Sequence, residues 1–255
     1  MKISGYSCIR NNFSLDYCIQ QTIESLLPVC NEVVISESES TDGTREFLDE
    51  WTKREPKLRI VNYKWPNPWR DVKWWTTWIN EARQHLQYPT QIFLDADEVL
   101  SPEGYAGIRE AAKLGQARWF RRLNFWKDPY HLVASGTVCA DQCVRLGPTD
   151  MWMPSDEPHP DGEPPIILKA GWPPSATPNF NIFHYGFLRK ERAMIDKCRI
   201  VGGAFFGTMD ARLEKAELQG TPWLNEVCPE KPLQDFLGDH PEIAKQWLRG
   251  RMYNI

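Results

Sequence analysis

The chain has 255 residues, of which 42% are hydrophobic and 25% are charged. This composition is typical of a folded globular protein and excludes a disordered or fibrous chain. The net charge of −4 provides no overall basic field for nucleic acid or anionic lipid, and no apolar stretch approaches the roughly 18 residues of a membrane span. Because Met1–Gly5 lacks the apolar region of a signal peptide, we expect a cytoplasmic protein.

The first hundred residues alternate β-rich runs with amphipathic helical patterns. Strands are predicted over residues 2–9, 32–36, 58–63 and 91–95. Helices are predicted over residues 15–27, capped by Ser14, from residue 44 to about residue 53, and over residues 71–86. This order is typical of an α/β fold with a mainly parallel sheet flanked by helices, in which ligands bind beyond the carboxyl ends of the strands.

The second half of the chain predicts a mixed sheet and a helical C-terminus. The predicted elements are a helix over 102–114, extended segments over 117–126 and 131–146, a strand over 180–188, a helical region over 189–218 interrupted at Gly202 and Gly203, and a short helix within 232–250. Residues 147–178 form a loop rich in proline and glycine, and a loop of this length is usually functional or mobile. We therefore expect a catalytic domain over residues 1–188 and a helical extension over residues 189–255.

Seven cysteines are scattered along the chain, and we expect them to be reduced and mostly buried. Cys139 and Cys143 are four residues apart, but no second Cys or His pair accompanies them at metal-ligand spacing. The sequence therefore does not favour a zinc site.

An acidic cluster at the end of the fourth predicted strand is the strongest chemical signal. Asp95, Asp97 and Glu98 fall within four positions, and alternate residues of a strand face the same side. Like charges packed this closely repel one another unless a positive charge lies between them, and a hard divalent cation is a natural partner. The simpler alternative is that Asp97 and Glu98 cap the helix that follows.

Two further segments lie at predicted strand ends. Residues 38–44 contain Thr41-Asp42-Gly43-Thr44, which alone is best interpreted as a strand-to-helix turn. His184 follows an apolar run and precedes Gly186, so its imidazole could complete a coordination sphere begun by Asp95 and Asp97. A lone histidine is nevertheless more often a packed or surface residue.

Taken in this order, these segments resemble the family 2 glycosyltransferases with the GT-A (Rossmann-like) fold. The motifs that carry the resemblance are Ile3–Tyr6, Asn31–Ser36 leading into Ser40–Thr44, Leu94–Glu98, and His184–Gly186. The resemblance covers residues 1–100 and returns at residues 183–189.

The resemblance implies a hexosyl- or pentosyltransferase that moves a sugar from a nucleoside-diphosphate sugar, with UDP as the expected nucleotide, to a hydroxyl acceptor with inversion. It implies Mn²⁺ or Mg²⁺ held by the Asp-x-Asp motif, Asp95-Ala96-Asp97, and by His184. It places the nucleotide base and ribose at Ser7 to Arg10 and at Glu37 with Glu39. Residues 1–100 would then bind the donor, and residues 101–188, including loop 148–178, would bind the acceptor.

Other residues are candidates for the chemistry itself. Arg70 and Lys73 follow the third predicted strand and could stabilise the charge on the leaving diphosphate. In the family an inverting enzyme uses a carboxylate beyond the metal motif as general base, and Asp156, Glu157 and then His159 are the candidates here. The alternative is that these are solvated loop residues.

Tryptophan and arginine are locally enriched. Trp65 and Trp69 could stack on a base or a sugar, whereas the helical spacing of residues 74, 75 and 78 favours packing of their indoles against the sheet. Arg118, Arg121 and Arg122 form a solvated edge or contact an anionic acceptor, with Arg122 facing away from Arg121.

Two other functions are consistent with parts of the pattern. A nucleotidyltransferase would use a similar sheet, but residues 7–12 lack the glycine-rich loop that cradles a triphosphate. A non-catalytic carbohydrate- or nucleic-acid-binding module would use the tryptophans but would leave the acidic cluster unexplained. The acceptor stays open between a glycan, a lipid-linked sugar, a protein and a modified DNA base.

Overall fold

A computed structural model describes residues 1–65, 72–115, 117–133, 142–150, 180–206 and 232–249, with the single residues 214 and 218. The side chains of residues 72–74, 142, 198 and 201–206 are not part of that description. Within these ranges the strands belong to one sheet, with helices packed on both faces.

The strands are β1 (Ile3–Ile9), β2 (Glu32–Glu37), β3 (Leu58–Asn62), β4 (Thr90–Phe93), β5 (Glu98–Leu100), β6 (Arg118–Trp126), β7 (Asp128–Val133), β8 (Gln142–Pro148), β9 (Asn181–Phe187) and β10 (Leu233–Asp235). The helices are α1 (Ile19–Leu26), α2 (Thr44–Thr52), α3 (Val72–Arg83), α4 (Tyr105–Lys113), α5 (Glu191–Phe206) and α6 (Glu242–Leu248). A short 3₁₀ turn, Pro102–Gly104, leads into α4.

The strand order confirms an α/β fold whose first half is parallel and whose second half is mixed. The order is β10-β7-β6-β8-β4-β1-β2-β3. Strands β1, β2, β3 and β4 pair in parallel, as expected for strands joined by helical crossovers. Strand β8 pairs antiparallel with both β4 and β6, while β9 runs parallel to β6 and antiparallel to β5.

The register of three strands brings distant polar residues together. In the β5–β9 pair Glu98 lies opposite His184, and in the β6–β9 pair Asn124 lies opposite the same histidine. The N–H of Tyr185 donates to the carbonyl oxygen of Asp97 at 2.9 Å. Residues separated by more than eighty positions therefore meet at the point where β4 ends and β5 begins.

Both faces of β1 are buried, which explains its apolar character. Because side chains alternate across a strand, Ile3 and Ile9 pack with α1 and α4 on one face. Tyr6 and Cys8 pack with Trp78 of α3 on the other face. The layered helix–sheet–helix arrangement predicted for the first hundred residues is thus present.

Helix α1 begins at Ile19, four residues later than the sequence pattern predicted. Residues 11–17 form turns instead, with the N–H of Tyr17 donating to the carbonyl of Asn12 at 2.9 Å. The buried Asn12 side chain accepts the N–H of Ile19 at 3.3 Å, so Ser14 is not the cap. A local polar side chain here competes with helix formation.

One prediction was wrong and two short strands were not predicted. Helix α5 continues through Gly202 and Gly203 rather than breaking there. The short helix expected within residues 232–250 is α6, but residues 233–235 before it form β10 against β7. The three residues of β5 were not predicted as a strand, because so short a run shows no periodicity.

The segment that contains β10 and α6 packs on the sheet through aromatic side chains. Phe236 and His240 contact Phe125 and Phe183, with ring centroids 4.6–6.0 Å apart. The hydroxyl of Tyr185 lies 2.9 Å from Nδ1 of His240, whose Nε2 lies 2.8 Å from the carbonyl oxygen of Pro129. Because that carbonyl can only accept, Nε2 carries the proton and Nδ1 accepts from the tyrosine.

Among the described cysteines, Cys8, Cys18 and Cys30 are buried and Cys143 is partly buried. Among the described helices, none is both long and apolar enough to span a lipid bilayer.

Replacing Tyr185 by Phe should destabilise the protein by about 0.5–1.5 kcal/mol, because the buried hydrogen bond to His240 is lost. Urea unfolding followed by circular dichroism measures the change. Tyr105→Phe is the matched control, since the Tyr105 hydroxyl makes no hydrogen bond within the described ranges. Equal unfolding midpoints for Tyr185→Phe and the parent protein would show that the contact contributes nothing to stability.

Candidate active site

A cavity of about 430 Å³ opens at the carboxyl ends of β1 and β4. Its aromatic lining consists of Tyr17, Trp65, Trp75, Trp78 and Phe187. Its titratable lining consists of Cys8, Arg10, Asp95, Asp97, Arg122, His184 and Lys197. The cavity lies where ligands bind in open α/β sheets.

Asp95 and Glu98 are neutralised by two arginines from neighbouring strands. Arg145 of β8 contacts Asp95 Oδ2 at 2.7 Å and Glu98 Oε1 at 3.0 Å. Arg122 of β6 lies 3.4 Å and 2.8 Å from the same two oxygens. Glu98 is fully buried, and its other oxygen accepts the N–H of Asp95 at 3.0 Å. Glu98 therefore shapes the turn after β4 and does not face the cavity.

Asp97 lies between two further cations. Arg189 donates to Asp97 Oδ2, and Lys197 Nζ of α5 lies 3.3 Å from the same oxygen. Burial alone would raise the pKa of this carboxyl group, but Lys197 and Arg189 outweigh that effect and hold the pKa well below its usual range. Asp97 is thus a stable anion in the folded protein.

His184 is buried and presents an unprotonated nitrogen to Asp97. Its Nδ1 lies 2.8 Å from Oδ1 of Asn124, an oxygen that can only accept, so Nδ1 carries the proton. Its Nε2 lies 3.7 Å from Asp97 Oδ1. Burial, followed by the charge of Arg122, lowers the pKa of His184 well below its usual value. The imidazole is therefore neutral, with a lone pair on Nε2.

The pKa of Asp95 is shifted in the opposite direction from that of Asp97. Burial and the neighbouring Glu98 raise the pKa of Asp95 to about 6, although Arg145 and Arg122 oppose the shift. Two carboxylates of one motif thus have opposite pKa shifts. Ala96, between them, is buried and also lines the cavity.

Only one pair of these residues is suited to bind a divalent cation together. Asp97 Oδ1 and His184 Nε2 are 3.7 Å apart, a gap that two bonds of about 2.1 Å would bridge. Cations already hold the Oδ2 atom of both aspartates, and of the two only Asp97 has its Oδ1 beside a second ligand atom, Nε2 of His184. Within the described ranges no group of three or more His, Cys, Asp or Glu residues forms a ready metal site. A divalent cation on this pair would need water or phosphate oxygens to complete its shell.

The opposite wall of the cavity is aromatic. Trp65 and Trp75 each meet Trp78 edge to face, and Trp78 Nε1 donates to Ser36 at 2.8 Å. The guanidinium carbon of Arg10 lies 4.1 Å from the Trp65 ring centre. Nη1 of Arg10 is buried and has no hydrogen-bond partner within the described part of the chain. A planar cation on an aromatic face is a surface on which a nucleobase can stack.

The other residues proposed for the nucleotide do not line this cavity. Glu37 is buried and accepts the N–H of Ser40 at 2.7 Å, so it braces the turn after β2. Glu39 accepts the N–H of Trp65 at 3.3 Å. The buried hydroxyl of Ser7 has no partner within the described ranges.

Several predicted site residues lie outside the described residues. These are Asp156, Glu157, His159, Arg70 and Trp69, together with Cys139 of the disfavoured zinc pair. The side chains of Lys73 and Trp74 also lie outside the description. Their proposed roles stay predictions.

Sequence reasoning missed most of the cations and the histidine's partner. Arg122 was singled out only within a basic group, and it does face away from the exposed Arg121. No local pattern marked Arg145, Arg189 or Asn124. The available signal was electrostatic: three clustered acids need several cations, and nearby strands and helices must supply them.

Gly186→Ala should disrupt the Asp97–His184 pair. A Cβ atom at this position would lie 2.5 Å from His184 Nε2 and 3.1 Å from Asp97 Oδ2. We expect a loss of about 1–3 kcal/mol in the free energy of unfolding. In a His184→Ala background the same substitution should lower the free energy of unfolding much less. An equal loss in both backgrounds would disprove the close approach of residue 186 to the imidazole.

His184 should make stability depend on pH. The unfolded histidine titrates near 6.5, whereas the folded one does so well below that value, so the unfolded state binds more protons in that window. Stability should therefore fall as the pH drops below 6.5, by at most about 1.4 kcal/mol per pH unit. Urea unfolding at several pH values in EDTA should show this slope in the parent protein and a shallower one in His184→Gln.

Comparisons with known proteins show distant structural similarity. Staphylococcus aureus TarS 1-349 in complex with UDP-GlcNAc has a TM-score of 0.40 and 15% identity, over 60% of this chain and 49% of TarS. A second crystal structure of TarS 1-349 has a TM-score of 0.40 and 12% identity, over 76% of this chain and 56% of TarS. The 4-diphosphocytidyl-2C-methyl-D-erythritol synthase of Anaerococcus prevotii has a TM-score of 0.38 and 11% identity, over 58% of this chain and 70% of the synthase.

The matches to TarS 1-349 thus span about half of that structure's length. No protein-family model matches the sequence, and no curated protein matches it either. At TM-scores of 0.38–0.40 the similarity adds nothing to the assignment of function, and the fold class rests on the strand order.

Proposed function

We propose that this chain is a glycosyltransferase that moves a hexosyl or pentosyl group from a nucleoside-diphosphate sugar to a hydroxyl acceptor, with inversion at the anomeric carbon. The nucleotide we propose is UDP, on the sequence resemblance described above. The observation that carries the proposal is one cavity that joins an aromatic wall to a cluster of charged residues at the Asp95–Asp97 motif.

The charge balance of this cluster supports an anionic ligand. Three carboxylates, Asp95, Asp97 and Glu98, face four cationic side chains. The four cationic residues are Arg122, Arg145, Arg189 and Lys197. Because His184 is neutral, the cluster has an excess of positive charge, as a site for the diphosphate of a nucleotide sugar requires.

The aromatic wall supports binding of the nucleobase. The Arg10 guanidinium lies over the Trp65 ring and has a buried nitrogen without a partner among the described residues. A base could stack on this aromatic and cationic wall. The wall and the cluster belong to the same cavity, so one nucleotide sugar could contact both.

A divalent cation, Mn²⁺ or Mg²⁺, would be held by Asp97 and His184 and would stabilise negative charge on the leaving diphosphate. Arg122 lines the same cavity and would bind the diphosphate directly. Asn124 keeps His184 in the tautomer whose Nε2 can act as a ligand. Arg145 binds Oδ2 of Asp95, so Asp95 would contribute to binding of the cation through Oδ1.

The acceptor side is proposed from the sequence alone. Asp156, Glu157 or His159 would remove the proton of the attacking hydroxyl group, and loop 148–178 would contribute to the acceptor site. Residues 1–188 would form the catalytic domain and residues 189–255 the extension. The acceptor classes stay those given above: a glycan, a lipid-linked sugar, a protein or a modified DNA base.

Calorimetric titration with UDP, GDP, CDP and dTDP, each with Mn²⁺ and with EDTA, tests the donor site. We expect one nucleoside diphosphate to bind, and to bind more tightly with Mn²⁺ than with EDTA. Absence of binding by all four with Mn²⁺ present would overturn the proposed function. Release of pyrophosphate rather than a nucleoside diphosphate during turnover would indicate a nucleotidyltransferase instead.

The variant for this test is Asp97→Asn, which should remove the Mn²⁺-dependent part of the affinity. Asp97→Ala is unsuitable, because it leaves the buried Arg189 without its carboxylate, at a cost of about 3–5 kcal/mol. Asp128→Asn is the matched control, since Asp128 is a buried carboxylate that does not line the cavity. Thermal unfolding of both variants checks that they are folded.

A further inference from the structure

The excess positive charge of the cluster is localised at Asp97. Asp95 and Glu98 are matched by two guanidinium groups, those of Arg122 and Arg145. Asp97 has two further cations, Arg189 and Lys197, and both contact the same oxygen, Oδ2. Its other oxygen faces the imidazole of His184. One of the two cations is therefore not needed to neutralise Asp97.

Arg189 is held in place by several contacts. It is 1% exposed, donates to the carbonyl oxygens of Gly186 and Leu15, and lies 3.6 Å from the Tyr17 ring centre. It does not line the cavity. Arg189 is thus a fixed structural partner that would neutralise Asp97 by itself.

Lys197 is held more loosely and faces the cavity. Its side chain is 22% exposed, and its ammonium group lies 3.3 Å from Asp97 and 5.8 Å from the Tyr17 ring centre. A lysine has a flexible stem and three donors, so it can keep one partner and add another, or exchange them. Phosphate oxygens in the cavity would offer it a second anion in place of the carboxylate that it shares with Arg189.

We propose that Lys197 of α5 binds the diphosphate of the donor, exchanging its contact with Asp97 for phosphate oxygens while Arg189 keeps Asp97 neutralised. This inference rests on the proposed function, because it assumes that a nucleoside diphosphate occupies the cavity. It makes α5, which the sequence assigned to an extension, part of the donor site. It also assigns the two cations different roles, Arg189 in the fold and Lys197 in binding.

The test compares Lys197→Met with the parent protein by calorimetry, using inorganic pyrophosphate, UDP and uridine with Mn²⁺ present. If another nucleoside diphosphate of the four binds instead, that nucleotide and its nucleoside replace UDP and uridine. We expect Lys197→Met to bind pyrophosphate and the nucleotide about 10–100-fold more weakly, as for loss of one charge-assisted hydrogen bond. Binding of the nucleoside should be unchanged, and the salt dependence of nucleotide binding should be smaller.

Lys190→Met is the matched control, because Lys190 is exposed, directly precedes α5 and does not line the cavity. Its affinity for the nucleotide should equal that of the parent protein. Lys197→Arg keeps the charge and should retain most of the affinity. If Lys197→Met fails to fold, Lys197→Arg serves as the second variant. In that case, an equal loss of affinity for the nucleotide and for the nucleoside would overturn the inference.

The calorimetry distinguishes a failure of the proposed function from a failure of the role inferred for Lys197. If the parent protein binds none of the four nucleoside diphosphates, the proposed function fails. If the parent protein binds one of them and folded Lys197→Met binds it equally well, only the role of Lys197 is overturned.

Discussion

The close packing of three carboxylates at the end of β4, two of them buried, is the constraint on which the rest of the structure depends. Asp97 and Glu98 are almost completely buried, and an unpaired buried carboxylate is too costly for a folded protein to keep. Strands β6 and β8 supply Arg122 and Arg145, and the segment after β9 supplies Arg189. The mixed second half of the sheet is therefore required for the acidic motif of the parallel first half to exist at all.

The elements of the first hundred residues were predictable because their signals are local. A strand such as β1 is buried on both faces and carries apolar residues on both of them, and the helices that follow are amphipathic. The edge at which ligands bind follows from parallel topology alone. Asp95, Asp97, His184 and Arg10 were accordingly expected at one edge, and the structure brings them to one cavity.

The partners of these residues were not predictable, because they depend on strand register. Asn124 meets His184 only because β6 and β9 pair in parallel with those two residues opposite each other. A shift of one residue would turn the amide to the other face of the sheet. The hydrogen bond from the N–H of Ile19 to the Asn12 side chain, just before α1, is by contrast a local contact, but the spacing of apolar residues does not reveal it. The residues proposed as the general base stay predictions.

The contacts of Arg189 have a consequence for how the protein folds. Its guanidinium joins the carbonyl of Leu15, 174 residues away, and the carboxylate of Asp97, 92 residues away. Closing loops of this size is entropically costly, and contacts so distant along the chain tend to slow folding. The acidic motif therefore gains its full set of cationic partners only after most of the chain has been made.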